Sequence, residues 1–157
     1  MKKAKIGHFI VLIILFLSDQ YTKYLALVNL AGKPSLKLIE KFFYLTYVEN
    51  TGAAWSILSG YRYFFIVVGF IGVIFMLGFY FHSERSLSKI AFTMMLAGTL
   101  GNLVDRFRFS GVRDFLDFYI FGYDFPIFNI ADCCLCIGAA LLMFDWILEE
   151  KNWLSRK

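Results

Sequence analysis

Two aspartates in the second half of the sequence, Asp114 and Asp132, stand where a charge is costly. Asp114 lies in the largely apolar run GVRDFLDF, and Asp132 lies at the start of a long apolar segment that begins FNIADCCLC. Two carboxyls brought together beside a membrane cannot both ionise cheaply, so one keeps a proton at neutral pH. Such a pair predicts aspartic peptidase chemistry, because one carboxylate takes a proton from water while its protonated partner polarises the scissile carbonyl.

The composition predicts that this chemistry belongs to an integral membrane protein of one domain, 1–157. Hydrophobic residues make up 59% of the 157 residues, only 18% are charged, and the mean hydropathy is +0.64. A soluble domain usually has about a quarter of its residues charged. The net charge of +4 comes with lysines at the termini, where anchoring to anionic headgroups explains them without any nucleic-acid partner.

Four hydrophobic segments predict four transmembrane helices, at about 6–30, 63–81, 87–104 and 127–148. Each is close to the ~20 residues that a helix needs to cross ~30 Å of hydrocarbon. The first segment resembles a secretory signal, but no small-x-small cleavage site follows it, so we expect a retained helix.

The two longer connections differ in character. Residues 31–62 are rich in aromatic and β-branched residues with alternating polarity, which favours short strands. Residues 105–126 form a second sizeable loop. The predicted fold class is therefore an all-α membrane protein with a small extracytoplasmic β-structure between helices one and two.

The basic cluster Lys2, Lys3 and Lys5 favours cytoplasmic termini, although the other basic residues are divided almost evenly between the two sides. With this topology the polar residues converge on the outer face, and inverting the protein would change the face without changing the convergence. The converging residues are Asp19, Lys23, Asn50, Asn102, Asp105, Arg106, Asp114, Asp117, Asn129 and Asp132.

Several of these residues also have a purely structural interpretation. Asp19 and Lys23 are four residues apart and could form an ion pair at the membrane boundary. The run NLVDRFR could be an interfacial helix stop, and Asp145 is also expected at the interface. Asp124, close to a proline, is expected to be a turn residue.

The three cysteines, Cys133, Cys134 and Cys136, fall in one predicted helix. No histidine lies near them to complete a zinc site, and disulfides usually join distant positions. We interpret them as small apolar helix residues, with a thiol redox relay as the alternative. Neither a metal nor a cofactor is expected.

Five stretches occur in a defined order along the chain: DQYTK at 19–23, NTGAAWS at 50–56, GTLGNLVDR at 98–106, VRDFLD at 112–117 and FNIAD at 128–132. With these stretches and four spans, the chain resembles the lipoprotein signal peptidase (signal peptidase II) family of bacterial membrane aspartic peptidases. The resemblance covers nearly the whole chain.

The resemblance implies a substrate, a location and a site. The substrate would be a diacylglyceryl-modified prolipoprotein, cleaved just before the lipidated cysteine by a monomer surrounded by membrane lipids. The protein would lie in the bacterial cytoplasmic membrane, with its active site near the extracytoplasmic face. Asp114 and Asp132 would be the catalytic pair, with supporting roles for Asp19, Lys23, Asn50, Gly52, Asn102, Arg106 and Asn129.

Two positions depart from the family pattern. Arg113 stands where an aliphatic residue is frequent, and Trp55 stands where phenylalanine is common. If Arg113 points inward, we expect it to lower the pKa of Asp114. Asp132 is expected to share a proton with Asp114, with Asn129 as a neighbouring hydrogen-bond partner.

Two other functions compete with the peptidase. Intramembrane charges also mark the paths of small transporters and ion-conducting proteins, but such a path needs polar residues through the full membrane depth, and the second segment has no charge. A thiol–quinone redox protein built on CCLC would need further cysteines in the outer loops, and the sequence has none there.

Overall fold

A computed structural model describes residues 2–53 and 57–154, with side chains from 6 to 53 and from 57 to 151. Some of the sequence predictions lie outside these residues. They concern the side chains of Lys2, Lys3 and Lys5, the stretch Ala54, Trp55 and Ser56, and the C-terminal Arg156 and Lys157.

Four long helices dominate the described chain: α1 (Lys2–Leu30), α2 (Arg62–His82), α3 (Ser86–Arg108) and α4 (Ile130–Leu154). All four are long and apolar enough to cross a membrane, over Ile6–Leu30, Arg62–His82, Ser86–Arg108 and Ile130–Lys151. The four predicted spans are therefore confirmed. Two helices continue several residues past their predicted ends, α3 from 104 to Arg108 and α4 from 148 to Leu154.

Helix α2 faces outward along most of its length. Helix α3 is the central helix, because more than half of the residues in its most apolar stretch are buried. Glycines permit the close approach of its neighbours. A Cβ atom added at Gly101 would lie 2.5 Å from the carboxylate of Asp19 on α1, and one added at Gly98 would lie 3.0 Å from Leu135 on α4. Small residues at helix contacts are the usual means by which membrane helices pack closely.

The strands form one antiparallel sheet in the order β1 (Leu36–Ile39), β2 (Phe43–Asn50), β3 (Val112–Ile120) and β4 (Tyr123–Asp124). The strands predicted between helices one and two are confirmed as β1 and β2. The description of 105–126 as a loop is incomplete, because the alternating run VRDFLDFYI forms β3 and pairs with β2. The sheet is thus built from two connections, and it carries Asp114 to the helices.

Two sets of contacts fix the sheet on the helical bundle. Phe115 on β3 packs against Ala26 and Leu30 at the end of α1. Just before α4, the carbonyl of Phe128 accepts a hydrogen bond of 2.8 Å from the backbone N–H of Leu116. Strand β3 is therefore tied to the start of α4, the helix that contains Asp132.

Candidate active site

Asp114 is held on β3 by two amide side chains. Asn50 Nδ2, at the end of β2, donates to Asp114 Oδ2 at 3.1 Å. Asn129 Nδ2, just before α4, donates to Asp114 Oδ1 at 2.6 Å. Only 3% of Asp114 is exposed. The carboxyl is therefore desolvated but positioned by neutral donors.

Asp132 is held in the first turn of α4 by a reciprocal pair of hydrogen bonds. Its backbone N–H donates to Asn129 Oδ1 at 3.0 Å, and the backbone N–H of Asn129 donates to Asp132 Oδ2 at 3.2 Å. This is the arrangement of a capping box, in which the side chains satisfy the free N–H groups at a helix start. Asn102 Nδ2 of α3 donates to the other oxygen, Asp132 Oδ1, at 2.8 Å.

Asn129 joins the two acids, because its side-chain amide bonds to Asp114 while its backbone and carbonyl oxygen bond to Asp132. The side chain of Asn129 is fully buried and also donates to Asn102 Oδ1 at 3.3 Å. The predicted convergence of Asp114 and Asp132 on one place is therefore present in the structure, and Asn129 is their common partner.

Burial and, after it, the negative charge of Asp132 raise the pKa of Asp114 to about 7. The hydrogen bonds from Asn50 and Asn129 and the charge of Lys23 oppose this shift without cancelling it. Asp114 therefore keeps a proton close to neutral pH, as one member of an aspartic peptidase pair must.

Lys23 connects α1 to the site. Its Nζ lies 3.0 Å from Asp19 Oδ2 and 3.5 Å from Asp105 Oδ2, and it donates to Asn102 Oδ1 at 2.9 Å. The ion pair predicted between Asp19 and Lys23 is present, and both side chains are buried inside the protein. Because Lys23 occupies Asn102 Oδ1, the amide nitrogen of Asn102 is directed towards Asp132.

The interpretation of Asp105 as part of an interfacial helix stop is wrong. Its side chain is fully buried and accepts two hydrogen bonds from the Arg113 guanidinium, at 2.7 Å and 3.2 Å. A further 2.9 Å bond comes from the backbone N–H of Arg113. The expectation that Arg113 lowers the pKa of Asp114 is also wrong, because successive side chains of a strand point to opposite faces and Arg113 serves Asp105.

Arg106 and Gly52 close one side of the site. Arg106 Nη2 donates to the carbonyl of Gly52 at 3.1 Å, and its guanidinium lies 4.9 Å from the centre of the Phe65 ring. The backbone N–H of Gly52 donates to Asn50 Oδ1 at 3.0 Å. Gly52 therefore contacts Asn50, which holds Asp114, and Arg106 in turn contacts Gly52.

Two contributors were missed by the sequence analysis. Gln20 Nε2 donates to Asp19 Oδ2 at 3.0 Å, and Gln20 Oε1 accepts from Arg113 Nη2 at 3.2 Å. Arg62, at the start of α2, donates to the free carbonyls of Arg106 and Phe107 at the end of α3. Gln20 lies inside the DQYTK stretch, but nothing in the sequence pairs it with a residue of the second loop.

Both aspartates line one cavity of about 580 Å³. Most of its surface is apolar, and an aromatic segment before α4 together with one face of α4 supplies that wall. The apolar wall consists of Phe125, Pro126, Ile127, Phe128, Cys133, Cys136 and Ile137. The cysteines are free thiols, and Cys134 is buried on another face of α4. The cavity can therefore hold a lipid-like or apolar peptide group beside the two carboxyls.

The remaining acids lie outside this site. Asp124 is exposed but belongs to the short strand β4, which pairs with β3, so its interpretation as a turn residue is wrong. Asp145 is buried, and Arg85 donates to both of its carboxylate oxygens, at 2.5 Å and 2.8 Å, while Ser88 donates a further bond. Asp117 lies on the opposite face of β3 from Asp114 and does not line the cavity.

Comparisons with known proteins agree over nearly the whole chain. Residues 11–148 match the family model described as signal peptidase (SPase) II. A lipoprotein signal peptidase of Halothermothrix orenii is 41% identical over 144 residues, which cover 91% of this chain and 97% of the relative. One of Bacillus subtilis is 37% identical over 146 residues, covering 91% and 94%.

A solved structure gives the same result for the fold. It is described as a bacterial membrane enzyme determined by the in meso method at 2.3 Å resolution. It superposes with a TM-score of 0.85 at 36% identity, covering 93% of this chain and 90% of that chain.

Proposed function

The chain belongs to the signal peptidase II family, and we propose that Asp114 and Asp132 are the two acids that perform its reaction. It is a multi-pass bacterial membrane protein and an aspartic peptidase that removes signal peptides from prolipoproteins. The relatives give no support to the transporter alternative.

One observation carries the assignment of the catalytic pair: Asn129 hydrogen-bonds to both carboxyls at the wall of one cavity. In the proposed mechanism Asp114 holds the proton and polarises the scissile carbonyl. Asp132 lies at the N-terminus of α4, where the helix dipole favours a carboxylate, and it takes a proton from the attacking water.

The proposed role of the surrounding residues is positioning. Asn50 and Asn129 orient Asp114 through neutral N–H groups, which lower its pKa without cancelling the effect of burial. Lys23 orients Asn102, which in turn donates to Asp132. Asp19 and Arg106 act one contact further away, through Lys23 and Gly52 respectively.

The apolar wall supports a substrate that carries a lipid. A diacylglyceryl group on the cysteine after the cleavage site can pack along Phe125, Phe128 and Ile137 while the peptide bond reaches the carboxyls. We propose that cleavage falls just before this cysteine. One chain supplies both acids and the cavity, which supports a monomer as the active unit.

The test of this function uses the purified full-length protein and a diacylglyceryl-modified prolipoprotein, with release of the signal peptide as the measurement. The matched control is the same precursor without the lipid. We expect release only from the modified precursor. Equal cleavage of both precursors would remove the proposed role of the apolar wall, and cleavage of neither would contradict the function.

We further propose that both termini are cytoplasmic and that the site lies near the extracytoplasmic face. Ser59 and Ser110 are exposed near the site, and Ser86 is exposed at the other end of α3. Single cysteines at these three positions, with the native cysteines replaced, can be labelled in whole cells with a membrane-impermeant reagent. Labelling at 59 and 110 is expected, and labelling at 86 alone would invert the topology.

A further inference from the structure

The sheet carries a second polar cavity, of about 470 Å³, away from the two catalytic acids. It is lined by Ser35, Lys41, Tyr44, Asp117, Tyr119 and Gly122. No described residue lines both this cavity and the one beside Asp114. We call it the sheet cavity.

Asp117 is the feature of the sheet cavity that calls for a ligand. Its side chain is only 5% exposed. Its Oδ2 lies 2.5 Å from the hydroxyl of Thr46, which in turn lies 2.7 Å from the hydroxyl of Ser35. Its Oδ1 has no hydrogen-bond partner among the described residues. A buried carboxylate oxygen without a donor costs free energy, so a donor from outside the chain would stabilise it.

The other groups around Asp117 define the chemistry of that donor. The rings of Tyr44 and Tyr119 meet edge to face, with their centres 5.4 Å apart. Asp117 and Tyr119 are two residues apart on β3, so their side chains lie on the same face of the strand and both line the sheet cavity. An acid beside aromatic rings is an environment that favours an ammonium group.

Lys41 supplies a positive charge to the same cavity. It lies in the turn between β1 and β2 with a positive φ of 59°, and its backbone N–H donates to the hydroxyl of Tyr44 at 2.9 Å. The sheet cavity therefore presents one fixed anion and one exposed cation. This pair complements a zwitterion that carries an ammonium and a phosphate.

The surroundings of the sheet cavity point to a membrane lipid as the source of this zwitterion. Ser35 follows closely after Leu30, where the α1 span ends. The two turns beside the cavity expose Phe42 and Phe121, the latter completely. Exposed aromatic residues are typical of the level of the lipid headgroups.

We propose that the sheet cavity binds the headgroup of a zwitterionic aminophospholipid, with its ammonium on Asp117 and the tyrosine rings and its phosphate near Lys41. The site is separate from the catalytic pair, so it does not depend on the proposed function. Three hydrogens on the ammonium allow one to reach Asp117 Oδ1, whereas a trimethylammonium group has none to donate.

The test uses the full-length protein in nanodiscs. They contain equal amounts of phosphatidylethanolamine, phosphatidylcholine and phosphatidylglycerol with the same acyl chains. After release into mild detergent, native mass spectrometry measures which lipid stays bound. We expect wild type to retain the ethanolamine lipid preferentially. Asp117→Asn is expected to reduce this preference about tenfold, the effect of one lost charge-assisted hydrogen bond.

Matched variants separate the site from general effects on folding or charge. Lys41→Gln is expected to reduce retention of both zwitterionic lipids, and Lys37→Gln, in the neighbouring exposed pair with Glu40, is its control. Asp124→Asn is the control for Asp117→Asn. Because Asp117→Asn could disturb the sheet, prolipoprotein cleavage serves as the check that the variant is folded.

Three outcomes would overturn the proposal: equal retention of all three lipids by wild type, equal loss in Asp117→Asn and Asp124→Asn, or no effect of Lys41→Gln. Soluble phosphoethanolamine distinguishes a free headgroup from a lipid. If only the soluble molecule binds, the cavity is not a lipid site. If the lipid binds and the soluble molecule competes with it weakly, the lipid assignment stands.

Discussion

Aspartates lie near both ends of helices α3 and α4, and the charge of Asp145 at one end is compensated in a different way from that of Asp114 and Asp132 at the other. At the end away from the sheet, Asp145 receives two bonds from the Arg85 guanidinium and one from Ser88. At the sheet end, Asp114 and Asp132 receive bonds from amide groups of asparagines and from a backbone N–H.

The two kinds of hydrogen-bond donor differ in how strongly they favour the ionised carboxylate over the protonated acid. A guanidinium in direct contact stabilises the charged form of the Asp145 carboxylate. Neutral amides hold Asp114 in place but leave much of the cost of burial, so its pKa rises to about 7. Lys23 is thus kept one contact away from the pair, since it reaches Asp132 through Asn102.

The largest expected effect is that of replacing Asp114 or Asp132. Asp114→Asn and Asp132→Asn nearly preserve side-chain size, and each should lower kcat for prolipoprotein cleavage by at least about a thousandfold. The double variant should be scarcely slower than either single variant, because both acids serve the same step. Initial rates of signal-peptide release measure this.

Asp124→Asn is the control for these variants, since Asp124 is exposed in β4. It should keep most of the activity. Near-normal cleavage by Asp114→Asn or Asp132→Asn would end the assignment of the pair.

The next largest effect should come from removing the cation that pairs with the buried Asp105 beside the site. Arg113→Met leaves Asp105 with Lys23, at 3.5 Å, as its one cationic partner among the described residues, and removing one partner of a buried pair costs about 3–5 kcal/mol of unfolding free energy. Thermal unfolding in detergent measures the loss. Arg108→Met, at an exposed position, is the matched control, and equal stability of the two variants would show that the buried pair contributes nothing.

The pH dependence of cleavage should be determined by Asp114 and not by Asp145. Above about pH 7, Asp114 loses its proton, and kcat should fall about tenfold per pH unit. Asp145→Asn should leave the profile in place. A profile that is flat between pH 6 and about 9 would show that Asp114 is not the acid.

The pH dependence of stability provides an independent test of the raised pKa of Asp114. The folded pKa of Asp114 lies above its ordinary value of 3.8, so the folded state binds more protons than the unfolded state between about pH 4 and 7. Stability should therefore fall as pH rises through this window. The decline should be shallower in Asp114→Asn, and an unchanged slope of Tm against pH would contradict the raised pKa.

A smaller effect is expected at the opposite end. Asp145→Asn weakens the contact with Arg85 but touches no catalytic group, so Tm should fall by about 2–4 °C while kcat and KM stay close to wild type. A loss of kcat as large as that of Asp132→Asn would remove the distinction between the two ends.

The smallest effect should follow replacement of the three cysteines. Cys133 and Cys136 line the apolar wall but make no polar contact with Asp114 or Asp132 in the described structure. The triple alanine variant should keep at least about half of the activity, because small apolar side chains replace one another at modest cost. Complete loss in a stably inserted variant would revive the thiol alternative.

The sequence was informative where a pattern is local and misleading where a partner is distant. The spans follow from runs of apolar residues, and the pairing of Asp19 with Lys23 follows from their spacing on one helix turn. Asp105 and Asp145 look interfacial from their places near helix ends. Their true partners, Arg113 and Arg85, come from other segments, and no local pattern reveals such contacts.

The same limit applies to the strand that carries Asp114. The run VRDFLDFYI alternates, but its partner β2 is separated from it by two transmembrane helices. The direction of Arg113 depends on this pairing, so the sequence could suggest an inward cation but could not assign it to Asp105.

The short spacing between Asp19 and Lys23 also matters before the protein is complete. A chain is synthesised from its N-terminus, so α1 enters the bilayer while Asn102 and Asp105 have not yet been made. Because both residues belong to one turn of α1, the pair that measures 3.0 Å in the folded protein can form within this helix alone, which lowers the cost of exposing the two charges to lipid. The partners of Lys23 on α3 become available only when that helix has followed.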